Sequence, residues 1–376
     1  MNPIPFNRSP ITGVEIEYLK HVIESRHLTG DGTFTKRCHA WLESNLQSPK
    51  ALLTHSCTAS LEMAALLCEI EPGDEVIMPS FTFVSTANAF ALRGATAVFV
   101  DIDPDTQNLD ASLIEPALTN RTKAIVPVHY AGISCDMDAI GAIARRHNLK
   151  IVEDAAQGLG STWRGKALGT LGDYGALSFH GTKNIVSGEG GALLVREPER
   201  GERAEIIREK GTDRSRFIRG EVDKYTWQEL GSSYLPSELI AAFLYAQLED
   251  SRKITERRVA AWTRYHEGLQ SLESAGRLRR PIVPEHAVHN GHIYYVLLPD
   301  EAARQRVHQA LADHGIQSSS HYVSLHESPA GKRHGRVAGD MAVTSQTVKT
   351  LLRLPMYADL TWAQQERVIK GIADSC

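Results

Sequence analysis

The sequence predicts an α/β protein: a large, mainly parallel sheet covered by helices on both faces, followed by a smaller C-terminal α/β domain. Short apolar runs alternate with helical stretches through the first half of the chain, a long helix-forming tract covers Pro236 to Leu269, and a second, shorter alternation follows it. At 376 residues the chain exceeds one small domain. The expected division is 1–245 for the large domain with its N-terminal helices and 246–376 for the interdomain helix and the small domain.

Thr12 and Glu15 have capping-box spacing ahead of Val14, Ile16, Leu19, Val22 and Ile23, whose period is that of an amphipathic helix. A second helix is expected from about Thr35 to Leu46. Ala51–Leu53, Glu75–Met78, Thr96–Val100, Ala124–Val128 and Ile151–Val152 then read as buried strands. Helices are expected between them at 59–70, 85–92, 111–118 and 137–147. Ala176–Phe179 and Ala192–Val195 flank Gly188-Glu189-Gly190-Gly191 and read as a strand pair with a glycine-rich connection. Pro236 suits a first helical turn, so 236–269 is expected to be one long helix or two in series. Strands at 293–298 and 322–323 and helices at 302–315, 345–352 and 362–374 complete the small domain.

Composition excludes several classes. Hydrophobic residues are 42% and charged residues 23%, which describes a globular chain. Lys and Arg number 41 against 45 Asp and Glu, a net charge of −4 that offers no footing for a nucleic acid. No apolar run approaches the roughly 18 residues that cross a bilayer, and Met1-Asn2-Pro3-Ile4-Pro5-Phe6 lacks the pattern of a signal peptide, so no membrane partner and a cytoplasmic location are expected. Cys38, Cys57, Cys68, Cys135 and Cys376 are scattered and never spaced as CxxC, which favours reduced thiols over disulfides or zinc.

Chemistry concentrates in two places. Ile151-Val152-Glu153-Asp154 is an apolar strand ending in an acid, where open α/β sheets gather ligands, although a helix N-cap is an equal reading of Asp154. Ser178-Phe179-His180-Gly181-Thr182-Lys183-Asn184 then places a lysine among small and polar residues after an apolar strand. There it could serve as a Schiff-base amine, the solvated loop lysine being the commoner role. Other patterns carry less. Gly158-Leu159-Gly160 has Trp163 where a third dinucleotide-binding glycine would stand, and His286, His289 and His292 lie in a loop without Cys or paired carboxylates, so no metal is expected.

The order of acid, serine, lysine and Gly-Glu-Gly-Gly, together with Gly30-Asp31-Gly32, Ser56-Cys57-Thr58-Ala59-Ser60-Leu61-Glu62-Met63-Ala64-Ala65, Met78-Pro79-Ser80-Phe81-Thr82-Phe83-Val84-Ser85 and Val126-Pro127-Val128-His129-Tyr130-Ala131-Gly132, resembles the DegT/DnrJ/EryC/StrS family of sugar aminotransferases. The resemblance runs from Ile4 through Pro355. It implies fold type I of the pyridoxal 5′-phosphate (PLP) enzymes, the aspartate-aminotransferase-like fold. Carried over residue by residue, it makes Lys183 the Schiff-base lysine and proton shuttle, and Asp154 the partner of the pyridinium nitrogen. Gln157 becomes the partner of the ring oxygen and Phe83 the aromatic on the ring face. Thr58 and Ala59, at a helix start, and Ser178 would hold the phosphate. Ser233 stands where many relatives have an Asn that reaches the phosphate from the partner subunit of a homodimer. His321, Tyr322 and His326 resemble the substrate-side segment, and His292 the family's histidine before an aromatic strand.

What the resemblance implies is amino transfer from L-glutamate to the C4 ketone of the dTDP-keto-sugar dTDP-4-dehydro-6-deoxy-D-glucose. The product would be dTDP-4-amino-4,6-dideoxy-D-galactose, a sugar for surface polysaccharide. Another nucleotide-sugar aminotransferase, differing in ring position, stereochemistry or nucleotide, and a non-catalytic sugar-nucleotide-binding protein are the alternatives.

Overall fold

The computed structural model describes residues 2–376. Its centre is an eight-stranded sheet in the spatial order 50–54, 191–195, 174–178, 150–154, 122–125, 75–79, 96–100 and 335–337. Only Gly191–Val195 runs against the others, pairing antiparallel with Lys50–Thr54 on one side and Tyr174–Ser178 on the other. The remaining neighbours are parallel. Three of the strands, Glu75–Pro79, Tyr174–Ser178 and Gly191–Val195, are buried at every residue, as expected for Val-, Ile- and Ala-rich strands with helices on both faces. Thr54, Pro79, Asp154 and Ser178 therefore end on one edge of the sheet, and Gly191 begins there, opposite both Thr54 and Ser178.

Pro236–Leu269 resolves into two helices, Glu238–Glu249 and Ser251–Gly268, separated at Asp250. The first packs on Glu15–Ser25 and Thr33–Leu46, the second on the last helix, Trp362–Ser375. A separate two-stranded sheet pairs Tyr294–Leu297 antiparallel with Leu351–Leu354. Around it Ala261, Tyr265, Tyr294, Leu311, Leu352 and Ile372 form their own apolar cluster, which also takes in Ile4 from the start of the chain.

Four local expectations change. The first helix starts at Glu15 with Val14 at its cap. Thr12 does not cap it, because the Glu15 carboxylate reaches back to the Thr12 and Gly13 amides at 2.7 and 2.8 Å and Thr12 stays outside. The helix expected over 345–352 spans Ala342–Thr350, since Leu351, Leu352 and Leu354 are taken up as a buried strand. Residues 322–323 form no strand, and Val323 is 75% exposed. Finally, Gly335–Val337 joins the large sheet beside Thr96–Val100, an edge strand of three residues with no apolar run to announce it.

Candidate active site

The carboxyl-end edge of the large sheet and the two-stranded sheet enclose a cleft of about 440 Å³. A larger, more open groove of about 610 Å³ beside Asp110, Glu115, Asp136 and Trp163 is acidic and has no lysine. Eight of the sequence-selected residues line the cleft: Thr58, Phe83, Asp154, Gln157, Ser178, Lys183, His321 and Tyr322.

Asp154 closes the strand Lys150–Asp154 and is only 6% exposed. Its Oδ2 accepts from the Thr86 hydroxyl at 2.7 Å and its Oδ1 from the Ala156 amide at 3.2 Å. No helix opens after it, so the N-cap reading is not realised. Thr86 is held in turn by Thr82, hydroxyl to hydroxyl at 2.8 Å. The carboxylate thus has neutral donors and no paired cation among the described residues, leaving its charge available to the cleft.

Lys183 follows the strand Tyr174–Ser178 in a turn closed by its own amide on the His180 carbonyl at 2.8 Å. Half-buried, its amine has no hydrogen-bond partner among the described residues. Burial lowers its pKa below the ordinary lysine value, opposed by Cys57 and Asp154 and assisted by Arg353. A lowered pKa raises the fraction of free amine near neutrality, which a Schiff-base lysine needs.

The helix Cys57–Leu67 points its start into the cleft. Ser56 caps it by accepting from the Ala59 amide at 3.1 Å, so that amide is already occupied and Ala59, itself buried, is not a free anion donor. Thr58 meets Ser85 hydroxyl to hydroxyl at 2.7 Å, and Ser178 lies across the cleft with its Oγ near the His180 amide at 3.4 Å. Gly191 makes this packing possible: a Cβ there would stand 2.4 Å from the Ser56 carbonyl carbon and 2.5 Å from the Cys57 nitrogen.

Phe83, just ahead of the helix Val84–Ala91, is 60% exposed, which excludes core packing and leaves its ring presented to the cleft. Gln157 accepts from the Ala131 amide at 2.7 Å and donates through Nε2 to the Tyr322 hydroxyl at 3.1 Å. His321 shares a hydrogen bond of 3.1 Å between its Nδ1 and Tyr130. Burial, with Arg353 and Lys183 nearby, pushes the His321 pKa down to about 2, so the ring is neutral at any working pH.

Two expected residues stand apart. His326 turns away to Ser80, whose hydroxyl lies 2.7 Å from its Nδ1, and it does not line the cleft. Ser233 is exposed, pairs with Glu209 and is likewise outside the cleft of its own chain. The segments around 208–212 and 222–227 pair with each other through Thr212 and Trp227 rather than lining the cleft. The three loop histidines also part company: His286 stands edge-on to Trp163, His289 packs on Trp262, and His292 faces the Asn184 Oδ1 at 2.9 Å.

Thr86, Tyr130 and Arg353 are additional residues of the site or its support. Tyr130 lies inside the Val126–Gly132 motif quoted above and Thr86 directly follows the one that ends at Ser85, but nothing in the sequence singles out either side chain. For Arg353 the signal was a lone cation in Leu351-Leu352-Arg353-Leu354, hidden because the helix expected over 345–352 took in the first two of these residues and left no strand to carry it. An unpartnered amine, an unpaired buried carboxylate, a presented aromatic ring and hydroxyls at a helix start meet the separate needs of the aldehyde, pyridine nitrogen, ring face and phosphate of PLP.

Comparison with known proteins agrees with this chemistry. Residues 10–373 match the DegT/DnrJ/EryC1/StrS aminotransferase family. GDP-perosamine synthase of Caulobacter vibrioides is 34% identical over 96% of this chain and 95% of its own. Among solved structures, the aminotransferase TlmJ of Streptoalloteichus hindustanus superimposes with a TM-score of 0.91 at 30% identity, covering 100% of this chain and 99% of that one. The PLP form of the sugar aminotransferase Spr1654 of Streptococcus pneumoniae gives 0.91 at 27% identity, over 100% and 98% of the two chains.

Proposed function

The chain belongs to the DegT/DnrJ/EryC1/StrS aminotransferase family and is a PLP-dependent enzyme of fold type I acting on nucleotide sugars, and on that premise we propose which residues and which sugar it uses. The observation that carries the residue assignment is the unpartnered, half-buried Lys183 amine in one cleft with the unpaired Asp154 carboxylate. PLP, when bound, supplies an electron sink for the carbon that loses a proton. Lys183 binds the cofactor and carries the proton to and from that carbon. Asp154, oriented by Thr86 and the Ala156 amide, keeps negative charge at the pyridine nitrogen. Phe83 covers one ring face, Gln157 orients the ring through its amide, and Thr58 and Ser178 hold the phosphate. His321 and Tyr322 face the substrate, and Ser233 is assigned to the partner's site in a homodimer. The change of packing partners at Asp250 supports a division of the chain close to the one read at 245/246.

The sugar assigned is dTDP-4-dehydro-6-deoxy-D-glucose, aminated at C4 with nitrogen from L-glutamate to give dTDP-4-amino-4,6-dideoxy-D-galactose. Its support is the sequence resemblance, which extends beyond the cofactor motifs to Arg208-Glu209-Lys210-Gly211-Thr212 and Val222-Asp223-Lys224-Tyr225-Thr226-Trp227. The similarity to GDP-perosamine synthase of Caulobacter vibrioides makes a GDP-sugar the competing reading. Incubation with L-glutamate and dTDP- or GDP-linked 4-keto sugars, and in parallel with a dTDP-linked 3-keto sugar, followed by NMR of the product, tests both. An axial amine at C4 of the dTDP-sugar is the expected result. Faster amination of a 3-keto sugar or of the GDP-sugar overturns the assignment, while an equatorial amine overturns only its stereochemistry.

A further inference from the structure

His292 is a buried, titratable residue of the cleft to which the roles above give no task. Its ring hydrogen can be placed by elimination. The Asn290 carbonyl meets the Asn184 side chain at 3.0 Å, and a carbonyl can only accept, so the group facing it is the Asn184 Nδ2. The Asn184 Oδ1 then faces the His292 Nδ1 at 2.9 Å and accepts its hydrogen. Burial, with Lys183, Arg258, Arg353 and His321 around the ring, holds the His292 pKa well below its ordinary value, so the imidazole is neutral. A neutral ring with hydrogen on Nδ1 has a bare lone pair on Nε2. Among the described residues nothing donates to that nitrogen, and it is not sealed off from the cleft.

The ring is also fixed in place. Arg258, fully buried, donates to the Gly291 carbonyl at 3.2 Å and to that of His292 at 2.6 Å. Asn290 donates to the Gln157 and Leu159 carbonyls at 2.7 and 2.9 Å. Asn184 follows Lys183 directly, so the side chain that sets the ring hydrogen belongs to the turn that carries the amine. His321 is set the other way: among the described residues the buried Tyr130 hydroxyl has no acceptor but the His321 Nδ1, which leaves the hydrogen of that ring on Nε2. The two rings therefore offer the cleft one acceptor and one donor.

We propose that the His292 Nε2 accepts a hydrogen bond from the Lys183 amine while that amine holds the proton it shuttles. The inference rests on the reading of Lys183 as the proton carrier and names the group that supports it. An ammonium in a closed cleft is costly without acceptors, and the Asp154 carboxylate is assigned to the pyridine nitrogen. The proton stays on Lys183, because the surroundings that keep the imidazole neutral also make it a weak base. What the ring supplies is a lone pair already in place when the proton arrives.

Two near-isosteric changes separate this role from packing. The amide of His292→Asn can still donate to Asn184 from the Nδ1 position but puts nothing at Nε2. This variant should bind PLP as wild type does, while kcat with L-glutamate falls by roughly 10- to 100-fold and KM holds. Its rate should also become more sensitive to deuterium at the α-carbon of the glutamate, since proton transfer then limits it. His292→Gln carries its amide toward the Nε2 position and gives up the bond to Asn184, so it should keep more of the rate than His292→Asn. The apoprotein gives a readout without turnover. With 15N-labelled histidine, the His292 signal, identified by its absence from His292→Asn, should show hydrogen on Nδ1 and none on Nε2 from about pH 5 to 9. Hydrogen on Nε2, or a ring that titrates at its free value of about 6.5, overturns the proposal. So does a His292→Asn that matches wild type or outperforms His292→Gln, and so does a loss that falls on PLP affinity or KM with deuterium sensitivity unchanged, which assigns the ring to structure. A wild type that forms no borohydride-fixable link to PLP and takes no nitrogen from L-glutamate overturns the functional reading and the inference with it.

Discussion

Lys183 and Asp154 do opposite things with burial. Burial works against the charged amine, whereas two neutral donors keep the carboxylate ready to meet a cation. Lys183→Ala should end both turnover and any borohydride-fixable link to the cofactor, a link that survives only if another amine does this work. Asp154→Asn should still bind PLP, but the loss of about 3 kcal/mol of charge stabilisation would slow turnover by roughly 100-fold. Activity within a few-fold of wild type would refute that role. The lysine also leaves a mark on the apoprotein. Its folded pKa is lowered, so between that value and about 10.4 the unfolded chain binds the extra proton and stability rises with pH across the window. Urea melts should therefore show apo Lys183→Ala more stable than apo wild type at pH 7, with the gap closing as pH approaches 10. A gap that is absent at pH 7, or that widens with pH, would contradict the depressed pKa. Both residues were legible in the sequence because Asp154 ends an apolar strand and Lys183 stands in the polar turn that follows one. Thr86 was not, because a threonine in the first turn of a helix has many ordinary roles, and His326 misled because its sequence neighbourhood says nothing about Ser80 standing beside it.

Two contacts lock elements of the large domain together, the second of them beside the cleft. The Glu238 carboxylate, buried at the start of one helix, accepts from the Gly32, Phe34 and Thr35 amides at 3.1, 2.8 and 3.0 Å and so caps the helix Thr33–Leu46 from more than 200 positions away. Replacing it by Ala strands these donors and should cost about 3 kcal/mol of stability, read as a lower urea midpoint. A cost below about 1 kcal/mol would mean that water replaces the carboxylate. Gly191→Ala probes the other contact. Its Cβ would collide with backbone, not with a movable side chain, and would displace the start of the helix Cys57–Leu67. PLP affinity should fall at least tenfold, by an estimate of about 1.4 kcal/mol from a shifted anion site, with Lys183 and Asp154 untouched. Unchanged affinity would show that the helix start does not hold the phosphate. The alternation of strands and helices was readable from apolar runs, and the Gly-Glu-Gly-Gly connection announced the antiparallel return. Strand order and the far-off cap were not readable, because they depend on pairings between segments that carry no mutual mark in the sequence. The lone strand Gly335–Val337 escaped notice because three residues are too few to show a period.

At the scale of the molecule, the described chain leaves large apolar side chains in water. Ile16 is 79% exposed and Ile23, one heptad on and so on the same helix face, is also exposed. Trp227 is 74% exposed beside the Ser233 loop. Such surface is what a second copy would cover, and Ser233, outside its own cleft, is the residue assigned to reach the partner's. Sedimentation should give a dimer, and Ile16→Asp combined with Ile23→Asp should shift it toward monomer with loss of activity. A fully active monomer would end the assignment. Shared sites make a sharper demand. Lys183→Ala inactivates the site in its own subunit, whereas Ser233→Trp, placed to block the neighbour's phosphate region, inactivates the site across the interface. In a mixed dimer one site carries both defects and the other carries neither. Co-refolding equal amounts of the two inactive variants should therefore restore about a quarter of wild-type activity, since half the dimers are mixed and each has one intact site. If Ser233 served its own cleft, each mixed dimer would have one site damaged by each change, and the mixture would be no more active than its parts.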